Sequence, residues 1–528
     1  MRATRTPAPR LNRRDLLKAA GAVGALNLAW PLSAGLSPAQ ALEAAEALGA
    51  SYDPAPFTLG VASGDPQPGG VVLWTRLAPE PLAAEQALPD LVEVEWVLAE
   101  DPGLVRVVAR GTHPASATLG HSVHVQVAGL APGTRYWYAF KALGHTSRTG
   151  RTKTAPVGPV PRVRFAAANC QAFYDGYYAA HRGIAAEDVD FVVHLGDYIY
   201  EHGPVGGDHV RDHDAPQTLT LADYRRRHAL YKGDPSLRDA HAAHPWFLTW
   251  DDHEVVNDYS GTTSGAPFLR RRSAAYQAWY ENQPHRDASA TGGAGLPDPE
   301  IHRVRRWGDL VELTVLDLRS YRTAQNLADG SILGGRQKDW LKRNVSTAPE
   351  AWHVWANSIM LSQLRSRVGG SYMFTDQWDG FTAERKEVLG HVHAAGMEDL
   401  VVITGDWHSA FVDDIRPDFD NTSSPVIGTE FTAHSVTSGA YSADWNKTYG
   451  PVMGKANPHL KYFEGNRYGY DVYEATPTRF SAHMRVIADR RDPASPVTTL
   501  TSFHIDRGRA GSYEDPATKT SPAQWRRD

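Results

Sequence analysis

VRFAAANC (163–170) is a short apolar run that ends in the single cysteine of the chain, and three other runs end in the same manner. VDFVVHL leads into GDYIY (196–200), HPWFL leads into WDDHE (250–254), and LVVIT leads into GDWH (405–408). Each run has the length and composition of a buried strand. Each stops at residues that bind metals or move protons. In open α/β sheets, ligands sit beyond the carboxyl ends of the strands. Four strand ends carrying Cys, Asp, Tyr, Asp, His, Asp and His therefore describe one polynuclear metal site.

The chemistry of each end supports that reading. Asp197 follows a glycine at a tight strand-to-loop turn, and a carboxylate has two oxygens with which to bridge two cations. Tyr200, three residues on, turns back toward the same point; its alternative is a core or rim aromatic. A phenol ionises only near pH ~10, so phenolate binding calls for a strongly acidic ion such as Fe(III). Cys170 ends its strand at the equivalent depth, and the thiolate is the ligating form. A lone cysteine is usually a small buried hydrophobe; its place at a strand end argues for a ligand. Asp252 and His253 face the loop region, whereas Asp251 and Glu254 either orient a neighbour or cap a helix. Such a cluster beyond an apolar strand is costly unless paired or metal-bound. Asp406 repeats the Gly-Asp turn, and His408 lies on the same side of the extended chain. EHGPVGGDHVRDHD (201–214) is a solvated loop, with a place in the wall of the site as its alternative.

Outward from these motifs, residues 57–154 read as β structure. VEVEWVL (92–98), HSVHVQV (121–127) and TRYWYAF (134–140) alternate in polarity, and Thr134, Tyr136, Tyr138 and Phe140 share one face. Short strands at this spacing predict a small N-terminal β-sandwich. TAPVGPVPR (154–162) marks the boundary. From there to residue 506, apolar strands, including LVELTVLDL (310–318) and HVWANSIML (353–361), alternate with helical stretches at 222–234, 268–283, 334–345 and 383–396. That alternation predicts an α/β layered domain. SATGGAGLPDPE (289–300) is a surface loop, and 507–528 form a polar tail, mobile or draped on the surface.

Residues 1–41 read as a targeting segment. NRRDLLK (12–18), a small-residue apolar stretch and Ala39-Gln40-Ala41 follow the order of a secretory signal. The arginine pair resembles the twin-arginine route, so the expected partner is that export machinery and the expected location is periplasmic or secreted. Residues 42–56 are a linker. The apolar stretch is too short for a stable transmembrane anchor, and no later one reaches about 18 residues. With 528 residues and a formal charge of −6 the chain has no basic stripe, which argues against nucleic-acid binding. A lone cysteine in an oxidising compartment has no internal disulfide partner.

In this order, the motifs resemble the PhoD-type alkaline phosphatase/phosphodiesterase family within the calcineurin-like metallophosphoesterases. FTLGVASGDPQPGGVVLWTRL (57–77) is similar to the start of its N-terminal β domain. NCQ (169–171), HLGDYIYE (194–201), TWDDHEV (249–255), LDLRSYR (316–322), LGGRQKDWL (333–341), DQWDGF (376–381) and TGDWHS (404–409) are similar to its catalytic blocks. The resemblance implies a core of two β-sheets flanked by helices and a site holding Fe(III) and Ca(II). It implies Cys170 and Tyr200 as iron ligands, Asp197 as the bridge, and Asp252 and Asp406 on calcium. It also implies His253 on the scissile phosphate or as the proton donor to the leaving group, and His408 as a further ligand or phosphate contact. Two positions depart from the wider superfamily: Cys170 stands where a carboxylate is usual, and Asp252 where asparagine is usual. Oxygen ligands at the second site favour Ca(II) or Mg(II) over zinc, and Mn remains an alternative. Asn357 and Arg319 are structural, with phosphate contact as the alternative.

Such a constellation hydrolyses phosphate monoesters or diesters with a metal-activated hydroxide or oxide, for phosphate acquisition. It needs no Ser or Cys nucleophile. One alternative is a phospholipase D-like phosphodiesterase acting on phospholipid head groups. The other is a non-enzymatic exported binding protein with residual ligands.

Overall fold

The computed structural model describes residues 54–204, 208–213, 216–286, 300–345, 352–397, 399–439, 441–519 and 522–527. The expected signal segment, all of the linker but its last three residues, and nearly all of the 289–300 loop lie outside these. Among the described residues, 23 strands numbered in chain order build three sheets. The largest runs β22 (Tyr513–Glu514), β21 (Val497–Asp506), β20 (Arg479–Ile487), β19 (Tyr468–Ala475), β9 (Val163–Ala168), β10 (Phe191–His194), β11 (Pro245–Leu248), β1 (Val61–Gln67), β2 (Gly70–Arg76), β5 (Ser122–Ala128). The second runs β12 (Arg303–Trp307), β13 (Val311–Val315), β14 (Trp352–Ala356), β15 (Leu400–Thr404), β17 (Gly428–Thr432), β16 (Ala410–Ile415), β18 (Leu460–Glu464), β23 (Trp525–Arg526). The third joins β4 (Val107–Ser116), β3 (Leu91–Ala99), β6 (Arg135–Ala142) and β7 (His145–Thr146), with β8 (Gly150–Lys153) on β6.

The two larger sheets pack face to face. Phe165, Val193 and Phe247 from one meet Val315, Val354, Ile403 and Phe431 from the other in a single core. The opposite face of the first sheet carries Ala166, Val192 and Trp246. It is covered by α1 (Ala179–Ala186), α2 (Leu221–Lys232), α3 (Pro235–Ala243) and α4 (Ala266–Asn282). Helices α5 (Gly334–Asn344) and α6 (Thr382–Ala394) cover the second sheet through Leu341, Val388 and Leu389. Strands buried on both faces must be apolar throughout, which is why the runs before each motif do not alternate. Helix α2 starts at a capping box, Thr220 with Asp223, and α3 starts at Asp234 followed by Pro235. A last helix, α7 (Ala443–Ala456), starts at Ser442.

Tyr136, Tyr138 and Phe140 of β6 are buried against Val61, Leu73 and Val125, so the N-terminal block is a sandwich. Its second layer is not a separate sheet. Strand β1 pairs in parallel with β11, Ser63 opposite Pro245, and this makes β1, β2 and β5 the edge of the ten-stranded sheet. The polar C-terminal segment is likewise sewn in. Strand β22 adds to β21, and β23 adds to β18, so residues after 507 contribute one strand to each large sheet.

Candidate metal centre

Strands β9, β10 and β11 are mutually parallel, as are β14 and β15, so their carboxyl ends point to one edge of the two-layer core. Cys170, Asp197 and Asp251–His253 leave that edge from the first sheet, and Asp406 and His408 from the second. The turn chemistry is tight. A Cβ on Gly196, whose φ is +112°, would stand 2.6 Å from the Asp251 Cβ, and one on Gly405 would stand 2.8 Å from the Asn169 Cβ. Only glycine lets these ends approach so closely. Beyond them, Cys170, Asp197, Asp406 and His408 have φ of 51°, 54°, 66° and 52°. Left-handed non-glycine residues gathered at one place are the usual mark of a functional site.

All of the metal-ligand candidates read from the sequence converge. The Cys170 thiol donates to Asp197 Oδ2 at 3.5 Å and the Tyr200 hydroxyl to the same oxygen at 2.9 Å. His408 Nε2 lies 3.0 Å from the Tyr200 hydroxyl. Donor atoms of Cys170, Asp197 and His408 lie within 4.8 Å of one another, and so do those of Asp197, Asp251, Asp252 and Asp406. Asp197 belongs to both groups and lies between them. Its Oδ1 is buried with no hydrogen-bond partner among the described residues. His408 Nδ1 is 2.8 Å from the Gly439 carbonyl. A carbonyl only accepts, so Nδ1 carries the proton and the Nε2 lone pair faces the cluster, as in metal-bound histidines.

The electrostatics suit a cation. Burial, reinforced by neighbouring carboxylates, pushes Asp197 and Asp406 well above the ordinary carboxylate range. Burial pushes Asp251 up to about 6 despite Arg319. Burial, then Asp197 and Asp406, raise the Cys170 thiol, and burial with Asp197 raises the Tyr200 phenol. Burial lowers His408 to about 4, keeping the imidazole neutral. Acids this concentrated would hold their protons in a dry site. A polyvalent ion reverses that logic and favours each deprotonated form. The donor set therefore fits metal ions.

Several residues of the site carried no signal, or an ambiguous one, in the sequence. Glu201 Oε2 accepts from His253 Nδ1 at 2.7 Å, and Glu201 is held to about 2, its burial outweighed by that hydrogen bond together with the charge of His253 and the Asn257 N–H. Burial alone would lower His253, but Asp197, Asp252 and Glu201 hold it well above its ordinary value. Glu254 belongs to none of the metal-competent groups among the described residues: its carboxylate accepts from the backbone N–H of Asp197, Tyr198 and Asp251 and so ties β10 to β11. Arg319 is fully buried and paired with Asp251 at 2.5 Å and Asp376 at 2.7 Å. The Gln377 amide donates to Asp406 Oδ2. Both amide atoms of Asn357, just past β14, are buried without a hydrogen-bond partner among the described residues. Of the 201–214 stretch, His202, His209 and His213 pack around Tyr174, while 205–207 and 214 lie outside the described residues.

Thiol, phenol, imidazole and carboxylate donors gathered beyond the strand ends of two facing, helix-flanked sheets define a metallophosphoesterase-type hydrolase. The chain belongs to the PhoD-like phosphatase family: residues 165–484 match the PhoD-like phosphatase domain and residues 42–156 its N-terminal domain. It is 39% identical over 526 residues to alkaline phosphatase D of Bacillus subtilis (strain 168), covering 95% of this chain and 88% of that one. A solved structure of PhoD superposes with a TM-score of 0.82 at 38% identity, covering 88% of this chain and 92% of that one. The protein is a phosphoric ester hydrolase.

Proposed function

We propose that the chain hydrolyses phosphate monoesters and diesters at a mixed-metal centre after export by the twin-arginine route, supplying phosphate outside the cytoplasmic membrane. The observation that carries the metal assignment is the position of Asp197 between a Cys170–Tyr200–His408 group and an Asp251–Asp252–Asp406 group. A thiol and a phenol that burial disfavours as anions suit Fe(III), with Cys170, Asp197 and Tyr200 as ligands and His408 as a further donor. The oxygen-only side, Asp252 and Asp406 with the second oxygen of Asp197, suits Ca(II). When bound, such cations neutralise the phosphoryl oxygens and activate water.

The protein side chains then divide the remaining work. Glu201 fixes the His253 proton on Nδ1 and stabilises the imidazolium, so His253 presents Nε2–H to the oxygen of the departing alcohol. Arg319 neutralises Asp251 and Asp376 and keeps them from competing for the cations. Gln377 and the Gly439 carbonyl hold Asp406 and His408 in place. NRRDLLK (12–18) supports export. Metal analysis of the purified protein, together with a panel of monoester, diester and phospholipid substrates, tests the reading. Iron and calcium with p-nitrophenolate release support it. A metal-replete protein that cleaves no phosphoester contradicts it, and release of choline or ethanolamine as the dominant activity replaces it with the lipid reading.

A further inference from the structure

A cavity of about 530 Å³ opens beside Tyr200 and His408, on the cysteine side of the centre. That is the size of a small-molecule binding site, far more than a phosphoryl group fills. Its wall is built from Tyr174, Tyr441 and Tyr468 together with Ser438, Asn466 and Arg490. Among the described residues, the one guanidinium in the wall is already paired. Arg490 is paired with Asp208 at 2.7 Å and with Asp175 at 4.0 Å, and lies 5.2 Å from the centre of the Tyr468 ring. Among the described lining residues, a second anionic group therefore finds no spare positive charge. Tyr441 is buttressed by other rings: it stacks on Trp445 at 4.0 Å, Trp445 stacks on Tyr449 at 5.0 Å, and the Phe374 ring lies near-parallel to Tyr441 at 6.4 Å. Yet Tyr441, in the cavity wall, remains 39% exposed. A buttressed, partly exposed ring is a pre-organised platform.

We infer that this cavity is a subsite for the second ester substituent of a phosphodiester, and that it takes an uncharged alcohol with a flat ring face, laid on Tyr441. The inference rests on the phosphoesterase reading above and names its preferred substrate class. Aryl and nucleoside alcohols share that chemistry. The test uses p-nitrophenyl phosphate and its methyl, phenyl and thymidine 5′ diesters, all of which release the same p-nitrophenolate, so that only the second substituent varies. In the wild type, KM for the phenyl or thymidine ester is expected about tenfold below that for the methyl ester. Tyr441→Ala should erase that difference, and Tyr441→Phe, which keeps the ring, should retain it. Equal affinity of phenyl and thymidine esters assigns the subsite to the ring alone, and a thymidine advantage adds the polar wall. Hydrolysis of all four esters with KM independent of the substituent, or a selectivity that Tyr441→Ala leaves intact, overturns the inference while leaving the phosphoesterase reading standing. Release from none of the four overturns the reading beneath it.

Discussion

Glu254 ties together the two strand ends that carry Asp197 and Asp251, and its replacement separates structural from ligating acids. Its Oε1 accepts from the Tyr198 N–H at 2.7 Å, and its Oε2 accepts from the Asp197 and Asp251 N–H groups at 3.1 and 2.9 Å. Glu254→Gln keeps the shape but turns one oxygen into an NH₂ that faces a backbone N–H. One buried donor then loses its acceptor, at a cost of about 1–3 kcal/mol. Glu254→Ala strips all three, for roughly 3–6 kcal/mol after allowing for non-additivity. At ~2 cal/mol/K per residue, a chain of this size unfolds with an entropy near 1 kcal/mol/K, so the shifts are ~1–3 °C and ~3–6 °C. Scanning calorimetry with metal supplied and after chelation reads them, because bound metal adds its own stabilisation. The chelated protein should show the graded Gln and Ala losses, and metal content should fall in step as the strand ends part. An unfolding temperature and metal content for Glu254→Ala equal to wild type would refute the clamp.

Three further outcomes follow from named contacts. Glu201→Gln should slow hydrolysis of alkyl phosphates far more than that of p-nitrophenyl phosphate, by a factor of about 10²–10⁴ in kcat, because only a poor leaving group needs the His253 proton; equal loss on both would remove that role. Arg319→Met leaves Asp251 without its buried cation, while Asp376 keeps Arg322 at 2.6 Å, and about 3–5 kcal/mol of stability should go with it, measured by chelated calorimetry. Asp65, buried and paired with Arg303 at 2.6 Å, is held below its ordinary value, its burial outweighed by Arg303 and His285. A depressed carboxyl stabilises the fold above the unfolded value near pH ~4 and loses that effect as pH falls. The stability gap between wild type and Asp65→Asn should therefore be constant at neutral pH and shrink below about pH 4.

The strand ends were legible because a strand buried on both faces must be apolar throughout, so the polar residues that stop it stand out. The helices at 222–234, 268–283, 334–345 and 383–396 were legible from their periodicity and appear as α2, α4, α5 and α6. Helix α7 was not: it contains Pro451 and two glycines, and its place comes from packing on β18 and β23. The joining of β1 to β11 was also hidden, since periodicity says which face a strand buries and not which edge it pairs. One sign was present, because GVVLWTR (70–76) is buried throughout while β3 alternates. Glu201, Arg319 and Gln377 escaped a role for a simpler reason. Each acts on a partner 29 to 68 residues distant in the chain, and no local pattern marks such a pair.

On the proposed reading, Cys170 and Tyr200 ligate a trivalent iron bridged through Asp197. Visible absorption and metal content, measured together on the purified protein and on Cys170→Ala and Tyr200→Phe, test it most directly. The wild type should contain iron and show a visible charge-transfer band, Tyr200→Phe should shift that band, and Cys170→Ala should lose both iron and activity. A colourless, iron-free wild type with full activity, or a Cys170→Ala protein that keeps its iron and activity, would contradict that reading.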